Sequence, residues 1–266
     1  MTRRRKVHRS PGPVIRVLFA SLLVGLGGMG IAACGTGGGD DRPRLTVLAA
    51  SSLQTALADY AGTLPPTQVR QSFAGSDLLA VQIRQGARPD VYVAADTALP
   101  RRLHREGLLE RPRVFASNRL VIAAPAGSGI DGLADLTAPD RSVILGDSSV
   151  PVGIYSDRLL AELAPEEREK ILANTASREP EAGSITAKLV RGAADAGIVY
   201  RTDVRAVGGL LEAIPIPGKI QPRIAYAGAV VRGAPEPDLA RRYLNGLTGG
   251  EGAVRLGQAG FLPPGG

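Results

Sequence analysis

The chain has 266 residues, enough for one or two domains with a sizeable core, and its 44% hydrophobic content is that of a soluble globular protein. The net charge of +7 is unevenly placed: six of the 32 Lys and Arg (Arg3, Arg4, Arg5, Lys6, Arg9 and Arg16) fall within residues 1–33, which hold no Asp or Glu, so the rest carries 26 basic residues against 25 acidic ones. That balance removes the support for nucleic acid as a partner, and a single cysteine excludes disulfides within the chain.

The basic start leads into an apolar run from Val14 to Ala33, broken only by Arg16, Ser21 and glycines, which is the layout of a secretory signal peptide over residues 1–33. Cys34 follows Ile31-Ala32-Ala33 and is similar to the cysteine of a bacterial lipobox, which receives lipid and becomes the mature N-terminus. The expected location is therefore extracytoplasmic, on the outer face of the cell membrane, held by the lipid on Cys34. The alternatives are an ordinary signal peptide beside a chance cysteine, or an uncleaved membrane helix, against which the glycines at 25, 27, 28 and 30 argue. Residues 34–44 are rich in Gly, Asp and Pro and read as a flexible tether.

The folded body begins near Leu45. Two stretches, Leu45 to Ser52 and Val69 to Ser76, run from an apolar strand into a serine that opens a helix. Each sets a hydroxyl and unpaired backbone N–H groups at the positive end of a helix, which is half of an anion cradle. Leu53, Leu57 and Tyr60 share one helical face, and Leu79 and Ile83 another on a helix that stops at Gly86. Asp90–Ala95 reads as a buried strand, Ala98–Glu106 as a helix ended by Gly107, and Leu120–Ala124 and Ser142–Leu145 as strands. Pro151 suits the first position of the next helix. A helix over Ala182–Arg191, a strand Ala196–Tyr200 and a long apolar strand Ile224–Val231 come next. Repeated strand–helix alternation predicts an α/β architecture with mainly parallel sheets, in which ligands bind where loops gather at one edge.

Four blocks then stand in register: LTVLAASSLQTAL, SFAGSDLLAVQIRQGARPDVYVAAD, ILGDSSVPVGIY and GAADAGIVYRTDV. Together they resemble the periplasmic molybdate-binding proteins of ABC importers, the ModA family, from about Leu45 to Phe261. The resemblance implies a two-lobed type II periplasmic binding protein, with lobe one over 45–121 plus 224–266, lobe two over 122–223, and the ligand in the cleft between them. It implies crossings near Ile122-Ala123 and Arg223-Ile224 that act as a hinge. It places the molybdate-binding positions on Ser52, Ser76, Val152, Ala182 and Tyr200, with molybdenum held only as its oxyanion and no cofactor. The implied role is capture of molybdate, and of tungstate, for delivery to the permease subunits of an ABC importer, with the protein acting as a monomer.

The chemistry of these positions is consistent with that role. A tetrahedral dianion needs many convergent donors before it can leave water. Ser52, Ser76 and Tyr200 offer hydroxyls, whereas Val152 and Ala182 can contribute only backbone N–H groups at helix starts. Fully deprotonated oxyanions suit such a neutral set, and monohydrogen phosphate, which brings a proton needing an acceptor, does not. A binding protein for sulfate or another tetrahedral oxyanion is the alternative.

An exported hydrolase using Ser52 or Ser76 is a weaker alternative, because His104 is the sole histidine after the leader and neither G-x-S-x-G nor S-x-x-K surrounds either serine. Taken singly, either serine would read as a helix N-cap. His104 is expected to be solvated on a charged helix, and Glu166–Lys170 to form an exposed face after Pro165. Asp77 directly follows a motif serine, where a carboxylate facing a dianion would repel it. It is expected to point outward and to serve its helix through the macrodipole.

Overall fold

A computed structural model describes residues 43–64 and 67–265. The predicted leader, Cys34 and residues 35–42 of the tether lie outside the described residues. The chain opens with β1 (Arg44–Ala50), α1 (Gln54–Ala61), β2 (Gln68–Ala74), α2 (Ser76–Arg84), β3 (Val91–Ala94), α3 (Ala98–Arg105) and β4 (Arg113–Asn118). It continues with β5 (Leu120–Ala124), β6 (Val143–Gly146), α4 (Pro151–Ala161), α5 (Pro165–Ala173), β7 (Thr175–Glu179), α6 (Ala182–Val190), β8 (Ala196–Tyr200), α7 (Arg201–Ala206) and β9 (Glu212–Pro215). It closes with β10 (Ile224–Val230), α8 (Pro237–Gly249) and α9 (Glu251–Gln258).

The helical faces read from spacing are the faces that pack. α1 buries Leu57 and Tyr60, with Leu53 in the 3₁₀ turn ahead of it, and α2 buries Leu79 and Ile83. Each such leucine or isoleucine contributes about 1.5–3 kcal/mol when withdrawn from water. The Glu166–Lys170 pair on α5 is exposed, at 82% and 54% of the two side chains. His104 is half-buried rather than solvated, because its Nδ1 lies 3.0 Å from the Leu109 carbonyl, just beyond the end of α3.

The strands form two five-stranded sheets, ordered β2-β1-β3-β10-β4 and β7-β6-β8-β5-β9. The expectation of mainly parallel sheets needs correction, since each sheet is half parallel and half antiparallel. β1 pairs parallel with β2 and β3, and β6 with β7 and β8. β10 runs antiparallel to β3 and β4, and β5 antiparallel to β8 and β9. The reason is connectivity: β5 and β10 are the strands by which the chain enters one sheet from the other, so no right-handed βαβ crossover sets their direction.

The chain leaves the first sheet at Asn118 and joins the second at Leu120, so Arg119 is the passage; Ile122 and Ala123 lie within β5. It returns between Pro215 and Ile224. Gln221 on the returning segment grips the outgoing one, its Oε1 accepting from Leu120 N at 3.0 Å and its Nε2 donating to Leu120 O at 2.7 Å. The side chain thus supplies the pairing that a neighbouring strand would give, and the two passages are tied together.

Candidate functional site

β1 runs into a 3₁₀ turn over Ser51–Leu53 that leads α1, and no side chain caps that turn or the helix. Ser52 Oγ instead lies 3.0 Å from Tyr226 Oη on β10. Ser76, buried to 2% exposure, is the first residue of α2; its Oγ accepts from Ala95 N at 3.1 Å, and its carbonyl accepts from Tyr92 Oη at 2.7 Å. Neither hydroxyl is therefore an N-cap. With one lone pair of Ser76 Oγ engaged by a backbone donor, its own proton is left to donate elsewhere.

From the second sheet, α4 starts at Pro151, which has no N–H, so Val152 carries the first free donor of that helix. Two glycines allow the helix to sit against the end of β6. A Cβ on Gly146 would stand 2.5 Å from Gly153 N, and one on Gly153 would stand 2.7 Å from Gly146 O and overlap the Asp147 carbonyl. α6 starts at Ala182 with no side-chain cap, leaving its first N–H groups without partners inside the helix. Tyr200 ends β8, and its N–H donates to Asp203 Oδ2 at 3.1 Å. The Tyr200 hydroxyl is buried and has no hydrogen-bond partner among the described residues, and burial pushes its pKa well above the usual tyrosine value.

Ser52, Ser76, Val152, Ala182 and Tyr200 all line one cavity, together with Ser51, Ala95, Pro151, Glu181 and several small residues. The cavity is small, about 20 Å³. None of the described residues that line it is cationic. Charge complementarity for an anion must come from hydroxyls, N–H groups and helix starts.

Several neighbours escape a reading of the sequence alone. Asp77 points only partly outward: it sits half-exposed in the first turn of α2 and does not line the cavity, but its Oδ1 is buried and without a hydrogen bond among the described residues. That oxygen and the Pro180 carbonyl both lie close to Gly75, where a Cβ would stand 2.8 Å and 2.9 Å from them. Glu181 makes the wall less neutral than the five positions imply, and its Oε2 is likewise buried and unpartnered. Tyr226 is fully buried at the centre of an aromatic group, with Tyr200 5.8 Å away between ring centres and Phe261 5.1 Å away, both edge-on. A tyrosine inside the apolar run Ile224–Val231 is the available signal, because a buried phenol requires a polar partner.

Asp203, in the first turn of α7, is buried. Burial raises its pKa to about 7, the Tyr200 N–H works the other way, and Glu181 adds to the rise. An unfolded Asp releases its proton near pH 4, so the fold loses stability as pH climbs from about 4 to about 7, by on the order of 2–4 kcal/mol. Asp203→Asn keeps an acceptor for Tyr200 N–H and removes that dependence. Its melting temperature should gain on the wild type steadily between pH 4 and pH 8 and by nothing further above; melting curves that stay parallel across this range would refute the assignment.

A family model described as bacterial extracellular solute-binding protein matches residues 45–262. The chain belongs to this solute-binding protein family. It is 34% identical over 250 residues to the molybdate-binding protein ModA of Mycobacterium tuberculosis, covering 88% of this chain and 94% of that protein. Among solved structures, the periplasmic molybdate-binding protein of Azotobacter vinelandii superposes with a TM-score of 0.73 at 20% identity, covering 83% of this chain and 99% of that one. The sulfate-binding protein SubI of M. tuberculosis does so with a TM-score of 0.73 at 16% identity, covering 84% and 88%. The solute-binding protein thus has the two-lobed type II fold, one sheet to a lobe, and its cavity lies where the lobes meet.

Proposed function

We propose that this solute-binding protein captures molybdate, and tungstate with it, in the cavity between the lobes and hands it to the permease of an ABC importer. The observation that carries the reading is the Tyr200 hydroxyl, buried and without an acceptor among the described residues, on the same small cavity as two serines and two helix starts. A compact anion held there would receive the hydroxyls of Ser52, Ser76 and Tyr200 and the backbone donors of Val152 and Ala182. Ser52 and Ser76 come from the first lobe, and Val152, Ala182 and Tyr200 from the second. Only the closed arrangement of the lobes brings all five to one anion, so binding and closure reinforce each other. So small a cavity suits a compact oxyanion better than a sugar or a nucleotide. The 34% identity to ModA of M. tuberculosis supports molybdate over other oxyanions.

The permease would recognise the closed pair of lobes as a monomer. A lipid on Cys34 would hold the protein at the outer face of the membrane, with residues 35–44 as the tether; this part of the reading rests on the sequence. The anion is cargo, and the protein would need no catalytic group.

Titration calorimetry of the purified protein against molybdate, tungstate, sulfate and phosphate tests the reading. Tight binding of the first two with weak sulfate is the expected result. Tight sulfate binding alone would make this a sulfate carrier, and phosphate bound as tightly as molybdate would show that the site accepts a protonated oxyanion; either overturns the proposal. Tyr200→Phe separates binding from folding. Removing an unpartnered buried hydroxyl should leave the melting temperature unchanged or raised, while molybdate affinity falls by about 1–3 kcal/mol. Retained affinity would take Tyr200 out of the ligand set.

A further inference from the structure

Asn118 closes β4 immediately before the passage at Arg119, is 4% exposed, and touches both lobes. Its Oδ1 accepts from Arg119 N at 2.9 Å, which fixes the amide so that Nδ2 faces the interior. Nδ2 lies 2.9 Å from Thr202 Oγ1 on α7 and 3.4 Å from Tyr226 Oη on β10. An amide nitrogen only donates, so the tyrosine oxygen is an acceptor in this contact. Tyr226 is fully buried, and among the described residues Ser52 Oγ, 3.0 Å away, is the one hydrogen-bond partner of its hydroxyl that can accept, so its single proton is assigned there. Ser52 then accepts from Tyr226 and has its own proton to spare on the side where it lines the cavity. Three consecutive hydrogen bonds, each fixing the sense of the next, run from the backbone at the hinge to the ligand site.

We propose that Asn118 is a positioning residue that sets Ser52 as a donor toward the ligand, and so biases the site against oxyanions that carry a proton. This rests on the oxyanion reading of the cavity. Asn118→Asp has nearly the same shape but no N–H. Its carboxylate accepts from Tyr226, Tyr226 accepts from Ser52, and Ser52 turns a lone pair toward the cavity. Thr202, a hydroxyl, changes from acceptor to donor without moving.

The test is calorimetry of the wild type and of Asn118→Asp against molybdate and against phosphate, at mildly alkaline pH where phosphate is the monohydrogen dianion. The added charge weakens both dianions alike, so the ratio of the two affinities reports the hydrogen-bond sense alone. A fall of at least tenfold in the preference for molybdate is expected, from weaker molybdate binding or stronger phosphate binding. An unchanged preference, whether both affinities fall equally or neither changes, overturns the inference. Tyr226→Phe removes the middle link and keeps the ring packing; it frees Ser52 to turn either way, and the preference should fall at least threefold even if Asn118→Asp does not fold. An unchanged preference in Tyr226→Phe would equally overturn the inference. A wild type that binds no oxyanion would instead defeat the reading of the cavity on which the inference rests.

Discussion

Gly153→Ala is expected to cost about 3 kcal/mol or more of stability and to weaken oxyanion binding at least a hundredfold. In an ordinary helix interior the same change is favourable by about 1 kcal/mol, because alanine loses less backbone entropy. Here the added methyl would overlap the Asp147 carbonyl and stand 2.7 Å from Gly146 O, both backbone atoms with no rotamer to yield. Overpacking of this kind costs 1–3 kcal/mol and sometimes more, and it is relieved only if α4 lifts away from the end of β6. Lifting the helix moves Val152, the first free donor of α4, off the cavity. Gly257→Ala in α9 is the control, since a Cβ there meets nothing within 4 Å. Thermal unfolding of the pair should give shifts of opposite sign. A Gly153→Ala protein as stable as the wild type, with unaltered molybdate affinity, would show that β6 and α4 are not held against each other as described.

The same contacts explain which parts of the fold are legible in the sequence and which are not. β3, β5 and β8 are buried along their whole length, and such strands read as unbroken apolar runs. β7, with the sequence TASRE, is at the edge of its sheet and only half-buried, so it carries no clear apolar pattern; β4 and β9 are edge strands as well. Sheet direction is illegible for a different reason. Alternation of strands and helices records only which element succeeds each strand, whereas β5 and β10 take their direction from a passage between lobes.

At the site, Ser52 and Ser76 announce themselves locally, as a hydroxyl at a helix start after an apolar strand. Val152 and Ala182 have no distinguishing side chain and come only from the resemblance, because a backbone N–H leaves no mark on residue type. Asn118 and Tyr226 act on Ser52 across 66 and 174 residues of chain respectively, and spacing says nothing about such pairs. The burial of Asp77 Oδ1 is illegible for the same reason, since the Pro180 carbonyl, which like that oxygen lies close to Gly75, comes from far along the chain.

Removing both serines together is the second large effect expected. Ser52→Ala and Ser76→Ala should each weaken molybdate binding by about 1–3 kcal/mol, the cost of leaving a charged oxygen without its donor. The double variant should lose at least the sum, and the reason lies in the two lobes. Both serines belong to the first lobe, and Val152, Ala182 and Tyr200 to the second. With one serine gone, the anion still bonds to both lobes and still favours closure. With both gone, the first lobe keeps only the backbone N–H groups at the starts of its two helices, so the anion's preference for the closed form falls and it draws the lobes together less. Small-angle scattering with and without molybdate reads this directly. Each single variant should contract on ligand addition as the wild type does, and the double variant should contract less. If the double variant contracts as fully as the wild type, the two hydroxyls do not hold the anion, and the first lobe must do so through its helix-start N–H groups or through Ser51, which lines the same cavity.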